Sequence, residues 1–521
     1  MTIDSQGSAA GAGPIRRIVI VGGGSAGWMA AGALSSVLDL RQVSVTLVES
    51  EEIGTVGVGE ATIPDMINFN RFIGVSEQEF LAETDGTFKL GIDFRDWGRI
   101  GDSYFHPFGD HGADMQGVDF HQYWLRMRGE GADEVIEDYS ICAAAAAQDR
   151  FALPGGDPRS VASRLRYAYH FDAGRYAAFL RRVSEGRGVR RIEGKVARIQ
   201  TTAEDGLIEA IHLEDGQVIE GDLFFDCTGF RALLHEGVRG EAFDDWSHWL
   251  PCDTAQAVPC EATGALRPYT VSTAREAGWT WRIPTRHRTG NGHIYSSRFT
   301  DDEAAREVLM GALDGAPLAE PRTIRFRTGC RQRFWSGNCV ALGLSAGFLE
   351  PLESTSLYLI QTGISKFMAL YPSLDMPEVV RAEYNRQMRQ QFEQVRDFII
   401  LHYHATERDD TEFWRYCRTM SVPDSLAHKM ALFRTAGRVF RYEDELFGRV
   451  SWVAVMLGQR VMPQAVDPVV ASMPAHEVGR SLASMRQAID GAAARMPTHA
   501  AFLDRYAPQG TSAAQPLAKA G

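Results

Sequence analysis

The chain has 521 residues, 45% of them hydrophobic and 23% charged, with a formal net charge of −13. This is a globular composition with material for a large core, and the length allows about two to four domains. The acidic balance and the lack of any Lys/Arg block argue against nucleic acid or an anionic membrane surface as a partner.

Seven cysteines (142, 227, 252, 260, 330, 339, 417) form no C-x-x-C pair. They support neither a disulfide framework nor a zinc site, and read as small buried hydrophobes in a cytoplasmic protein. No run approaches the roughly 18 apolar residues of a membrane span. Residues 1–14 carry one acid, Asp4, and no basic region, and read as a flexible tail.

Arg17 to Val21 is a short β-branched run that reads as a buried strand. Gly22-Gly23-Gly24-Ser25-Ala26-Gly27 follows and satisfies G-x-G-x-x-G, and Trp28 onward reads as a helix. The first glycine serves the tight turn, the second the approach of a pyrophosphate, and the third the packing of helix on strand. Val43 to Glu49 reads as the next parallel strand, ending in an acid placed to hold a ribose hydroxyl. This order of elements points to dinucleotide binding. The loop Ile53 to Pro64, rich in glycine, could run along the cofactor or be a plain surface loop.

Residues 65–84 read as helical. Phe88 to Phe94 alternates apolar and polar, so it reads as one strand with Lys89 on the solvated face. His106, in an aromatic turn, reads as structural when taken alone. Asp172 is placed to cap a helix over Ala173 to Val183. Arg191–Ile199, Ile208–Leu213 and Leu223–Phe225 read as strands, the last running into Asp226-Cys227-Thr228-Gly229 for a second contact with the dinucleotide domain. Residues 240–330 read as a sheet-containing substrate region. Cys339 to Gly343 returns as a buried strand, followed by a loop to Pro351 and a helix from about Glu353. Tyr384, Met388, Phe392, Val395, Ile399 and His402 form one stripe of a long helix. The tail from Pro508 reads as disordered.

Trp279-Thr280-Trp281-Arg282-Ile283-Pro284 is W-x-W-x-I-P. Taken alone it is a rigid aromatic wall or ordinary core packing. Together with Gly22 to Gly27, Val58 to Pro64, Phe88-Lys89, His106-Pro107-Phe108 and Gly347 to Thr355, it makes the chain resemble the flavin-dependent halogenases of the tryptophan halogenase type.

The resemblance implies an α/β fold of the flavin monooxygenase type, with a Rossmann-like FAD-binding domain over residues 15–375. A sheet-containing substrate region is inserted at about 90–330, and a mostly helical region follows over 376–507. FADH2, supplied by a separate NAD(P)H-dependent flavin reductase, would react with dioxygen to a flavin hydroperoxide that chloride or bromide attacks. The hypohalous acid would travel to Lys89, and Glu353 would polarise the halogenating species or take the ring proton. Trp279, Trp281 and Pro284 would shield the flavin from organic substrate. Gly22, Gly24, Ser25, Ala26, Gly27, Glu49, Ala61, Val196, Leu344 and Leu357 would contact FAD. Thr355 and Ser356 would hold the halide, with serine where the family usually has glycine. His106, Phe108 and Trp452 would line the pocket for a small aromatic substrate. The segment Val450 to Gly458 lacks the tyrosine pair of tryptophan-specific members; Glu443 and Glu445 lie nearby. An indole fits as well as free tryptophan, and a homodimer is compatible with the resemblance. The rival readings are an FAD-dependent aromatic hydroxylase and a flavin-binding protein without chemistry.

Overall fold

The computed structural model describes residues 13–52 and 60–508. The loop over residues 53–59, most of the expected N-terminal tail and the expected C-terminal tail from residue 509 lie outside the described residues.

Two large sheets carry the fold. The first has six strands in the order Trp335–Ser336, Cys339–Ala341, Leu223–Asp226, Arg17–Val21, Ser44–Glu49, Arg190–Glu193. All pair in parallel except the edge strand Trp335–Ser336. A parallel sheet is covered on both faces, so its central strands are mostly apolar and buried, whereas the edge strand Arg190–Glu193 is largely charged. Ile18, Ile20 and Leu47 pack in one cluster with the helix Ser25–Val37, and Val19, Val21, Val48 and Phe224 in another.

The second sheet has seven strands in the order Arg322–Arg325, Thr254–Glu261, Arg288–Tyr295, Gly278–Pro284, Thr270–Arg275, Gly91–Arg95, Ser103–Pro107. It is antiparallel except where Thr270–Arg275 meets Gly91–Arg95. The chain leaves the first sheet after Ser44–Glu49, returns for Arg190–Glu193 and Leu223–Asp226, builds most of the second sheet, and returns again at Cys339–Ala341. Both large sheets and the helical C-terminal portion agree with the expected fold class.

Two strands read as continuous are split. Phe88 to Phe94 breaks at Leu90. Thr87–Lys89 pairs with Ala168–Phe171 in a small sheet, whereas Gly91–Arg95 joins the large one. Leu90 leaves both ladders because its N–H donates to Pro268 O (2.7 Å) and its carbonyl accepts from Phe108 N (3.1 Å). Arg191 to Ile199 breaks at Gly194, whose N–H donates to Glu49 O (2.8 Å). Arg190–Glu193 stays in the parallel sheet, and Val196–Thr201 joins a separate antiparallel sheet with Ile208–Leu213.

The expected stripe lies on the 27-residue helix Glu378–His404, and Tyr384, Met388, Phe392, Val395, Ile399 and His402 are all buried. Helices Asp424–Ala436, Arg449–Gly458 and Ala475–Ala494 follow, and His499–Tyr506 brings Phe502 and Tyr506 against Phe88. All seven cysteines are free and buried. No helix of the described residues is long and apolar enough to cross a membrane.

Candidate functional site

The glycine turn takes the shape its motif requires. Gly22 has φ +112°, and a Cβ there would run into the Cys227 carbonyl. A Cβ on Gly27 would run into Gly22 O, so only glycine lets the helix Ser25–Val37 sit this close to the strand. Gly24 stands at the N-cap in extended conformation (φ −74°, ψ −173°), which any residue adopts. The first turn, Ser25 and Ala26 included, has neither a capping side chain nor an acid, so its N–H groups and dipole are available to an anion. Glu49 ends the adjacent strand. Its Oε1 accepts from Arg191 Nε (2.5 Å) and its Oε2 from Trp28 Nε1 (3.3 Å).

The other expected cofactor contacts lie on several elements. Leu344 lies in the turn Gly343–Ser345, where Gly343 approaches Ala26 and Ser345 Oγ donates to Asp226 Oδ1 (3.1 Å). Leu357 is buried in the first turn of the helix Ser356–Ala369. Val196 packs on the cluster of Val21 and Val48. Ala61 lies in the small sheet that also holds Lys89, at the edge of the loop outside the described residues. Asp226 is a structural node: its two oxygens accept from the backbone of Thr228, Leu234 and His235 and from the hydroxyls of Thr228 and Ser345.

Lys89 is wholly buried, which corrects its reading as a solvated strand residue. The alternation is real, but both faces of Thr87–Lys89 look inward. Phe88 stacks on Phe151 at 4.0 Å on one side. On the other, Lys89 Nζ donates to Ser354 Oγ (2.9 Å) and Thr62 O (3.1 Å), 5.1 Å from the centre of the Phe108 ring. Burial brings the Lys89 ammonium down to about 7, with Glu353 opposing the shift.

Glu353 does not open a helix. It ends a tight 3₁₀ turn, Pro351–Glu353, and Ser354 follows in the left-handed region at φ +60°. The helix begins only at Ser356 because that conformation cannot continue one. The strained backbone sits between the buried acid and the hydroxyl that holds Lys89. Glu353 lies between two imidazoles: His106 Nδ1 is 3.0 Å from both carboxylate oxygens, and His402 Nε2 is 2.7 Å from Oε1. The His402 contact is close but outside the strict geometry of a hydrogen bond, and it adds to the hold of His106 on the carboxylate. Burial would raise the Glu353 carboxyl; the two histidines outweigh it and hold the group down to about 2. Tyr104 OH lies 3.0 Å from His402 Nδ1, and Gln459 Nε2 donates to Tyr104 OH (3.3 Å).

Thr355 occupies the N-cap of Ser356–Ala369, and its buried Oγ1 has no hydrogen-bond partner. An orphaned hydroxyl at the start of a 14-residue helix is the chemistry of a small-anion site. Ser356 is the first residue of that helix.

Trp279 and Trp281 lie on one face of Gly278–Pro284, buried, with ring centres 6.0 Å apart. Trp281 covers Gly292, where a Cβ would enter its ring. Pro284 O accepts from Thr87 Oγ1 (2.9 Å), which joins the end of the wall to the strand of Lys89.

Beyond Glu353, His106, Phe398, Phe447 and Trp452 form an aromatic cluster. Phe398 stacks on Phe447 at 3.8 Å and meets Trp452 edge-on at 4.9 Å. Trp452 is fully buried. Its Nε1 donates to Glu445 Oε1 (3.1 Å), and Lys429 Nζ stands 4.1 Å over its ring while bonding both Glu445 oxygens (2.6 and 2.8 Å). Glu443 is exposed and accepts from Gln390. A cavity of about 250 Å³ opens between the loop after His106, with His111 and Phe120, and the helix of Trp452, with Arg449 and Val453.

The structure thus brings together Lys89, Glu353, His106, Phe108, Thr355 and the end of the wall, while the glycine turn follows a strand of the first sheet. His402 was missed because it falls on an apolar helical stripe. A polar residue on such a stripe needs a partner, and that was the available signal.

The tryptophan halogenase family model matches residues 17–475. The chain is 36% identical over 484 residues to tryptophan 6-halogenase SttH of Streptomyces toxytricini, covering 87% of this chain and 91% of that protein. Among solved structures, a flavin-dependent halogenase from Xanthomonas campestris is 50% identical with a TM-score of 0.92, covering 95% of this chain and 99% of that one. The flavin-dependent halogenase BrvH from Brevundimonas sp. BAL3 is 45% identical, with the same TM-score of 0.92 and the same coverages of 95% and 99%.

Proposed function

The chain belongs to the tryptophan halogenase family, and on that premise we propose that it uses reduced FAD, dioxygen and chloride or bromide to halogenate an electron-rich, indole-like ring. Lys89 and Glu353 are its catalytic residues in this reading. The observation that carries it is the burial of Lys89 against the turn of Glu353, in a different sheet from the strand that leads into the glycine turn.

The residues around Gly22–Gly27 suit FAD: an uncapped helix start for the pyrophosphate, and Glu49 beside it for a ribose hydroxyl. Reduced flavin supplies the activation of dioxygen by which halide becomes an electrophilic hypohalous species. Thr355, with its unpartnered hydroxyl at a helix start, holds the halide with Ser356. Trp279, Trp281 and Pro284 keep organic substrate from the flavin. Lys89, near its midpoint at neutral pH, serves the halogen either as ammonium donor or as amine nucleophile.

Halogenation at ring carbon creates a cation that must lose a proton. Glu353, held ionised between His106 and His402, stabilises that positive charge and receives the proton. A weakly basic carboxylate suffices because a protonated arene is a strong acid.

Trp452, His106 and Phe108 favour an aromatic substrate. Its relative SttH is named for tryptophan. Here Glu445, the acid beside Trp452, is already neutralised by Lys429 and is not free for a substrate ammonium, which supports an indole without the amino-acid charges. A separate reductase delivers the reduced flavin, since the sequence carries one nucleotide fingerprint. The test is a screen of indoles and other arenes with a flavin reductase, NADH, FAD and bromide or chloride, read by mass spectrometry. Halogen isotope patterns support the reading. Products heavier by one oxygen would favour a hydroxylase.

A further inference from the structure

The turn that ends in Glu353 begins with a second buried acid, Glu350, which has no part in the halogenation mechanism just proposed. It is wholly inaccessible to solvent. Its Oε2 accepts two hydrogen bonds from different elements, Trp279 Nε1 of the wall (2.9 Å) and Tyr403 OH of the helix Glu378–His404 (2.5 Å). Its Oε1 is buried without a partner. Tyr403 directly follows His402, the residue set against Glu353. Two neighbouring residues of one helix therefore face the two acids of one short turn, and the first acid also holds the wall.

We propose that Glu350 is a positioning residue for halogenation: the clamp that keeps Trp279 and the helix at Tyr403 in register with the turn bearing Glu353. A buried acid surrounded by apolar groups is costly, and leucine in this loop would pack as well. What an acid adds here is one oxygen that two donors from two directions can share. Loosening it would let the wall and the base drift relative to each other, and displacements of about 1 Å can cost roughly a hundredfold in rate. The clamp is neutral when working, since a charged Oε1 without a donor is the worse alternative, and burial raises the group to about 7. The titratable groups facing it are Tyr403, Cys252 and Cys417, each pushed upward by burial and neutral across that range.

This inference rests on the proposed halogenase function, so the test has two arms. In the first, product formed per dioxygen consumed is measured for the full-length protein with reductase, FAD and bromide. Glu350→Gln keeps an acceptor oxygen and retains coupling within a few-fold. Glu350→Leu, of similar size but without an acceptor, loses roughly tenfold to a hundredfold in coupling while FAD affinity is unchanged. In the second arm, which needs no activity, the Trp279 indole N–H signal is followed by NMR in tryptophan-labelled protein, assigned through Trp279→Phe. It shifts with pH around 7 in the wild type and ceases to titrate in Glu350→Gln. If Glu350→Leu does not fold, Glu350→Gln decides through both readouts. If no arene is halogenated by the wild type, the functional reading fails, and the indole titration still judges the clamp. Unchanged coupling in Glu350→Leu, or an indole signal indifferent to Glu350→Gln, overturns it.

Discussion

Lys89 Nζ donates a 2.9 Å hydrogen bond to Ser354 Oγ, the residue after Glu353, across 265 positions of sequence. One side-chain contact thus fixes the buried amine against the strained turn of the buried acid. The two groups are also coupled through charge, since Glu353 opposes the loss of the lysine's proton.

Burying Lys89 has a stability signature. Its pKa falls from 10.5 unfolded to about 7 folded, so between those values the unfolded chain binds more protons and stability rises with pH. The penalty is full below about pH 7 and gone by about pH 10.5, on the order of 5 kcal/mol in all. Lys89→Met should therefore raise the melting temperature most at pH 6 to 7, with the gain shrinking toward alkaline pH. Melting curves of both proteins across that range check it. A pH-independent gain would mean that Lys89 keeps its ordinary pKa.

Glu353 behaves in the opposite sense. Held down to about 2 against 4.5 unfolded, it contributes stability that is present above 4.5 and lost as pH falls toward 2. Glu353→Gln should lower turnover by roughly 10²–10⁴-fold, as for a placed general base. It should also flatten the acid side of the stability curve. Added to Lys89→Ala, it should cost little more than either change alone, because both act on one halogen transfer.

His402→Phe keeps the ring that stacks on Phe94 at 4.7 Å but removes one of the two imidazoles beside Glu353. The Glu353 carboxyl should then titrate at higher pH, and the acid limb of product formation should move upward with it. An unmoved acid limb would show that His106 alone holds the carboxylate.

Gly24 and Gly27 should fail differently. Gly24 has a backbone that any residue adopts, so Gly24→Val should fold and lose FAD. Gly27→Val meets the Gly22 carbonyl and should fail to fold. Circular dichroism and FAD titration separate the outcomes. FAD bound with unchanged affinity by Gly24→Val would move the cofactor elsewhere.

Local pattern reached the glycine turn, the parallel strands and the long helix because each is a periodic or steric signal within a few residues. It failed where a residue's surroundings come from far along the chain. Alternation showed correctly that Phe88 and Lys89 point to opposite faces. It could not show that Thr62 and Ser354 close over the lysine, so only the family resemblance marked it. The turn at Glu353 looked like a helix start because Ser354-Thr355 resembles a cap. The left-handed Ser354 that delays the helix is imposed by tertiary contacts. His402 and Glu350 hid among apolar neighbours, where a polar side chain should have prompted a search for its partner.

In the proposed reaction Lys89 carries the halogen after the flavin has done its part. The direct measurement is product mass and flavin reoxidation rate for wild type and Lys89→Ala, with reductase, FAD, bromide and an accepted indole. A brominated product is expected from the wild type and none from Lys89→Ala, with equal reoxidation rates. Wild-type product yield from Lys89→Ala would contradict it.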